Sequence, residues 1–328
     1  MKRILTLFLL LMSLYPLAGK AQFYSTKEPL AHTYSIVAMD PETGNMAVAV
    51  QSHWFSVGTA VSWAEAGVGV VATQSFTNKS FGPRGLALLK EGKSPQEALD
   101  ILLSTDEGRE VRQVAILDAQ GRVAVHTGED CIPYAGDIAG ENYSVQANMM
   151  KTPEVWPAMA AAYEENEALP FPERILKALE AAERQGGDIR GKQSAVLLVV
   201  KGEKSAEPWN DEIINLRVDD HPEPIKELAR LLKTYRAYEF MNQGDVAVEQ
   251  GNMAEAKDLY SQAEAMFPEN LEMQYWHAIT LANNGQVQEA AKMLQKIYKK
   301  NEDWRELTRR LPKVGLLNLP KQDLQKLL

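Results

Sequence analysis

Residues 33–52 read TYSIVAMDPETGNMAVAVQS, from Thr33 to Ser52, and this stretch decides the fold. Ile36 and Ala38 alternate with Ser35 and Val37. Met46, Val48 and Val50 alternate with small residues. Between the two runs lies Asp-Pro-Glu-Thr-Gly. Period-2 patterning on both sides of a turn predicts a β-hairpin. Pro41 presets φ for the turn and Gly44 takes the positive φ that closes it.

Outward from this hairpin, Ala66–Phe76 is a short, glycine-punctuated apolar run and reads as a buried strand. Gly82-Pro83-Arg84-Gly85 opens a helix carrying Leu86, Leu88 and Leu89. Ser94-Pro95-Gln96-Glu97 is a capping box with proline at the first helical position. RQVAILD and RVAVHTG flank Ala119-Gln120-Gly121 as a second hairpin, and residues 142–147 form another candidate strand. Helices are expected over about 154–165 and 172–184, the latter stopped by Gly186-Gly187. Residues 193–200 are too apolar for either face to meet water, which implies a covered central strand, and Ile213–Val218 is the last strand. Two sheets with helices on their outer faces accommodate this order.

Upstream, Lys2 and Arg3 precede an apolar run over residues 4–14, followed by Gly19-Lys20-Ala21. This reads as a secretory signal peptide spanning residues 1–21, with export to the periplasm or medium, and leaves residues 22–32 as an extension. No later segment is apolar enough to cross a membrane. The net charge of −9 argues against a nucleic-acid partner. Cys131 is the single cysteine, so no internal disulfide forms, and its neighbour Asp130 disfavours a thiolate.

From His221 onward the composition becomes amphipathic helix. Gly251, Ala256, Tyr260, Ala263 and Pro268 have the spacing of a tetratricopeptide repeat, and Gly285, Ala290, Leu294 and Ile297 follow one 34-residue period later. The domains expected are thus 33–220 and a helical 221–328.

The strings TYSIVAMDPETG, AVAVQSHWFSVG, WAEAGVGVVATQSFTN, GPRGLALL, AILDAQGRVAVHTG, VQANMM and GGDIRGKQSAVLLVV, in this order, resemble the domain of unknown function 1028 family. That family is placed in the N-terminal-nucleophile (Ntn) hydrolase superfamily. The resemblance implies an α+β, four-layer αββα sandwich, here followed by the small helical domain. It also implies a tail described as peptidoglycan-binding, about residues 215–276, and a fold that often forms homo-oligomers.

Under that resemblance Thr33, at the head of the first strand, is the candidate nucleophile, with its own α-amine as base. The extension acylates this amine, so a cut between His32 and Thr33 is required. Asn78 and Gln74 are candidate oxyanion donors, and Asn148 could reach the same cleft. His126, at a strand end, is a candidate general acid or substrate contact. Asp188 and Arg190 lie between a helix cap and a buried strand, and could orient the nucleophile's amine or a substrate carboxylate. Ser52 and His53 close the second strand of the first hairpin, and Ser52 is a second candidate nucleophile without a GxSxG elbow. Arg84 could hold an anion at a helix start. Each residue alone also has a plain structural reading: a turn bond, a satisfied strand-end histidine, a loop ion pair or a solvated arginine. No histidine pair has metal-ligand spacing, and no cofactor is expected.

Two functions follow. One is an exported Ntn-type amidohydrolase acting on a small or cell-wall-derived amide. The other is a non-catalytic Ntn-like module that docks peptidoglycan or a protein partner through its helical tail.

Overall fold

The computed structural model describes residues 30–328. The expected export segment, and the extension as far as residue 29, lie outside these residues. In chain order the strands are β1 (Leu30–Ala31), β2 (Thr33–Met39), β3 (Met46–Ser52), β4 (Ser62–Glu65), β5 (Gly69–Phe76) and β6 (Arg112–Asp118). They continue with β7 (Val123–Thr127), β8 (Gly136–Gly140), β9 (Tyr143–Ala147), β10 (Ser194–Val200) and β11 (Glu212–Val218). They build two antiparallel sheets. One runs β11-β10-β3-β2-β9-β8; the other runs β1-β5-β6-β7, with β4 also paired to β5.

The β2–β3 hairpin forms as its sequence demands. Thr33 stands opposite Ser52 and Met39 opposite Met46. The turn is closed by the Asp40 N–H donating to the Asn45 carbonyl and the Gly44 N–H donating to the Asp40 carbonyl, with Gly44 at φ 71°. β10 lies between β3 and β11, and all seven of its residues are buried. A continuous apolar run is what a strand covered on both faces requires.

The two sheets stack face to face. Val37, Val48, Val50, Val70, Ala72, Leu117, Val196 and Leu198 fill the space between them. Helices α1 (Phe81–Lys90) and α2 (Pro95–Ser104) cover the outside of the five-stranded sheet, with Phe81, Leu99 and Leu102 against Val71, Val114 and Ile116. The capping box at Ser94 and Glu97 starts α2. Helices α3 (Val155–Glu165) and α4 (Phe171–Arg184) cover the outside of the six-stranded sheet. Three strands escape the sequence reading: β1, which falls in the expected extension, β4 and β8. β4 is only four residues long, and β8 is glycine-bounded. The strand expected from Ala66 starts at Gly69, because Gly67 at φ 66° belongs to the β4–β5 turn.

The chain divides into two compact units, through Ala229 and from Arg230. Helix α5 (Pro224–Glu249) spans that boundary. The second unit continues with α6 (Met253–Met266), α7 (Leu271–Asn283), α8 (Val287–Lys300), α9 (Asp303–Arg310) and α10 (Lys321–Leu327). Gly251 and Gly285 precede α6 and α8 at equivalent places, with φ of 76° and 81°. The repeat positions Ala256, Tyr260 and Ala263, and Ala290, Leu294 and Ile297, are all buried. Small residues allow close helix approach there, and larger ones fill the gaps. No helix among the described residues is long and apolar enough to cross a membrane.

Candidate functional site

The space between the sheets is apolar at one end and polar at the other. The side-chain period of two sets which residues face inward. On β2, Val37 joins the apolar core while Ser35 and Thr33 continue the same face. On β5, Val70 and Ala72 lead to Gln74; on β6, Leu117 and Ala115 lead to Gln113. β9 and the residue after it supply Ser144, Gln146 and Asn148. All of these polar residues are buried.

They satisfy one another, and their partners fix the orientation of each amide. Gln113 Nε2 faces the carbonyl oxygens of Ala147 at 2.9 Å and Gly136 at 3.2 Å, so that end is the amine. Gln113 Oε1 therefore accepts from Gln74 Nε2 at 2.6 Å and Asn148 Nδ2 at 2.9 Å. The same two amines point at the Thr33 carbonyl, which also accepts from the Asn148 backbone N–H at 3.1 Å. Asn148 Oδ1 then faces His32 Nδ1 at 2.7 Å, which places the imidazole proton on Nδ1. Ser35 Oγ donates to Gln74 Oε1 at 2.7 Å and accepts from Gln146 Nε2.

Thr33 lies at the centre of this cluster with no solvent exposure, and its Oγ1 donates to the Ala31 carbonyl at 2.7 Å. The peptide carbonyl just before it, that of His32, has two side-chain donors: Ser52 Oγ at 2.6 Å and Arg190 Nη2 at 2.8 Å. Arg190 is aimed by Asp188. The Asp188 carboxylate is fully buried and accepts from Arg190 Nη2 at 2.7 Å, from Arg190 Nε at 3.1 Å, from the Arg190 N–H at 2.9 Å and from the His53 N–H at 3.1 Å. A buried carboxylate so surrounded holds a guanidinium in a fixed fork. Gly191, at φ 113°, lets this loop turn beside His53. Burial holds the His32 imidazole below its usual basicity; the bond to Asn148 only partly opposes this.

Profile comparison matches residues 33–228 to the "Family of unknown function (DUF1028)". The chain belongs to the DUF1028 family. Residues 241–303 of this DUF1028 protein match a tetratricopeptide repeat. A crystal structure of protein SPO2555 from Silicibacter pomeroyi, assigned to the same family, is 31% identical with a TM-score of 0.56, over 62% of this chain and 88% of that one. The Anbu (ancestral beta-subunit) protein from Yersinia bercovieri aligns over 60% of this chain and 92% of its own at 13% identity, with a TM-score of 0.32. No curated protein matches the chain.

Of the residues expected in the site of this DUF1028 protein, Thr33, Ser52, Gln74, Asn148, Asp188 and Arg190 come together. His53 contributes its backbone N–H while its side chain is exposed. Three do not join them. His126 alternates with Val125 and Thr127, so it faces the helix side of the sheet, where Nε2 meets the Arg109 carbonyl at 2.9 Å. Asn78 uses its side-chain oxygen to accept from the Ser80 N–H and hydroxyl, which commits it to the turn before α1. Arg84 is exposed on α1 and reaches Thr105 at 3.2 Å. Sequence reasoning missed His32, Ser35, Gln113 and Gln146. The signal available was the recurrence of one polar residue at the same inward parity near one end of each strand.

Proposed function

We propose that this protein is an amide hydrolase of the N-terminal-nucleophile type, with Thr33 as nucleophile after the His32–Thr33 bond is cut. The observation that carries the reading is the His32 carbonyl, held by Ser52 Oγ and Arg190 Nη2 directly before a buried threonine. Two donors on one carbonyl oxygen favour the negative charge that develops there during acyl transfer. The stacked sheets with helices outside both, and the Thr33 position at the head of β2, support the Ntn sandwich and its chemistry.

The chemistry has two stages. In processing, Thr33 Oγ1 loses its proton to water and adds to the His32 carbonyl carbon. The C–N bond breaks, the Thr33 nitrogen takes a proton, and an ester remains. Water hydrolyses that ester to a His32 carboxylate and the Thr33 Oγ1 hydroxyl, leaving Thr33 as the chain terminus with the amine freed in the previous step. In turnover, that amine takes the Oγ1 proton as the oxygen adds to a substrate amide. The leaving amine receives the proton, and water then releases the acid and regenerates Thr33. In both stages Ser52 and Arg190 are the donors to the oxyanion. Ser52 is thereby a donor and not the nucleophile.

The N-terminal segment supports export, and a cell-wall-derived peptide amide is a fitting substrate in that compartment. The tetratricopeptide match supports a peptide- or protein-docking role for the helical unit. Intact-mass analysis and N-terminal sequencing of protein from its native host test the reading. A terminus at Thr33, with cleavage and amide hydrolysis both reduced to background in Thr33→Ala, is the expected result. Hydrolytically active protein that starts at Gln22 would overturn it.

A further inference from the structure

The residues immediately before Thr33 are themselves bound like a ligand. Leu30 and Ala31 pair antiparallel with Phe76 and Ser75, as a two-residue strand on the edge of β5. β4 covers that same edge only as far as Ala72. Without residues 30–32, no strand among the described residues lies beside this edge of Ser75–Phe76. Arg112 Nη1 fixes the rim by donating to the Phe76 carbonyl at 2.6 Å.

His32 fills a formed pocket in this groove and is 1% exposed. Its ring meets Phe76 edge-on, with centroids 5.6 Å apart and planes at 89°. Its Nδ1–H donates to Asn148 Oδ1 at 2.7 Å. Asn148 cannot turn its amide end toward the ring without abandoning Gln113 Oε1 and the Thr33 carbonyl. The pocket thus offers a flat apolar wall and one fixed acceptor. Leaving that buried acceptor unpaired opposes a purely apolar side chain, which is how polar pockets discriminate most sharply.

We propose that the groove filled by residues 30–32 is the acyl-side subsite for a peptide substrate, taken as an extended strand along Ser75–Phe76 with histidine next to the scissile bond. Edge pairing supplies affinity independent of sequence, and the Asn148–Phe76 pocket supplies selection. This rests on Thr33 being the reacting residue.

The test uses the chain beginning at Thr33 after removal of its initiator methionine. This chain keeps every described strand and helix except Leu30–Ala31, and loses only Ala31 from the apolar core between the sheets. The probe is acetyl-Leu-Ala-His as its free acid, whose carboxylate lies at Ser52 and Arg190. Expected is saturable binding by calorimetry, at least tenfold tighter than acetyl-Leu-Ala-Leu. The analogue methylated at Nδ1 of the histidine should bind as weakly as the leucine peptide, since it has no proton to give Asn148. Asn148→Leu should abolish the histidine preference; the methylated peptide makes the same point without altering the protein. Equal binding of the three peptides, or no binding, overturns the proposal. Hydrolysis of the matching acetyl-Leu-Ala-Xaa anilides separates the two readings. Selective binding without hydrolysis removes the hydrolase and keeps the groove; hydrolysis without histidine preference removes the groove and keeps the hydrolase.

Discussion

His32 shows how one residue couples the site to solution conditions. Its imidazole is neutral and buried, and burial lowers its pKa from the ordinary 6.5. Between the lowered value and 6.5 the unfolded chain binds the proton that the folded chain refuses. The folded state is therefore most favoured above 6.5 and loses stability as pH falls below it. In the uncut chain, urea midpoints should drop between pH 7 and about pH 5, and part of that drop should vanish in His32→Leu. Identical pH slopes in the two chains would show that the ring does not resist protonation. Arg190 and Asp188 illustrate a second residue-scale point. Their spacing in the sequence marks them as a pair, but the carbonyl they serve is that of His32, far away in the chain.

Among elements, the seating of helix α1 depends on a glycine. A Cβ on Gly82 would come 2.2 Å from the Trp63 ring on β4, with no room between helix and strand. Gly82→Ala should lift the start of α1 off the sheet and cost about 1–3 kcal/mol, read by chemical denaturation. An unchanged midpoint would mean that Trp63 swings aside freely. Both hairpins were readable because their turns carry their own chemistry. The Asp40–Gly44 turn and Gly121, at φ 76°, need no tertiary partner to dictate them. β4 and β8 also end in positive-φ turns, at Gly67 and Asn142, but four and five residues show too little alternation to mark a strand. β4 is defined by its pairing to β5, and β8 by its pairing to β9.

At the scale of the whole molecule, the two units have separate hydrophobic cores, and each should answer to its own mutations. Leu294 is fully buried in the helical unit. Leu294→Ala should destabilise that unit by about 2–5 kcal/mol. In calorimetry the transition of residues 30–229 should stay in place, because Leu294 belongs to a core cluster made only of residues of the helical unit. A parallel shift of both transitions would show that the units melt as one. The sequence by itself determined the layered α+β plan, the capping box and the repeat in the tail, because turn chemistry, side-chain period and helix caps act within a few residues of the chain. It also marked Thr33, Ser52, Gln74, Asn148, Asp188 and Arg190 as individual candidates. Only the tertiary structure decided that these six meet, that His126, Asn78 and Arg84 do not join them, and that Ser35, Gln113 and Gln146 complete the polar end. Buried amides and hydroxyls must be paired, and their partners here lie far away in the chain, 111 residues for Ser35 and Gln146 and 116 for His32 and Asn148. No local pattern carries that information, because it arises only when two sheets close over one another.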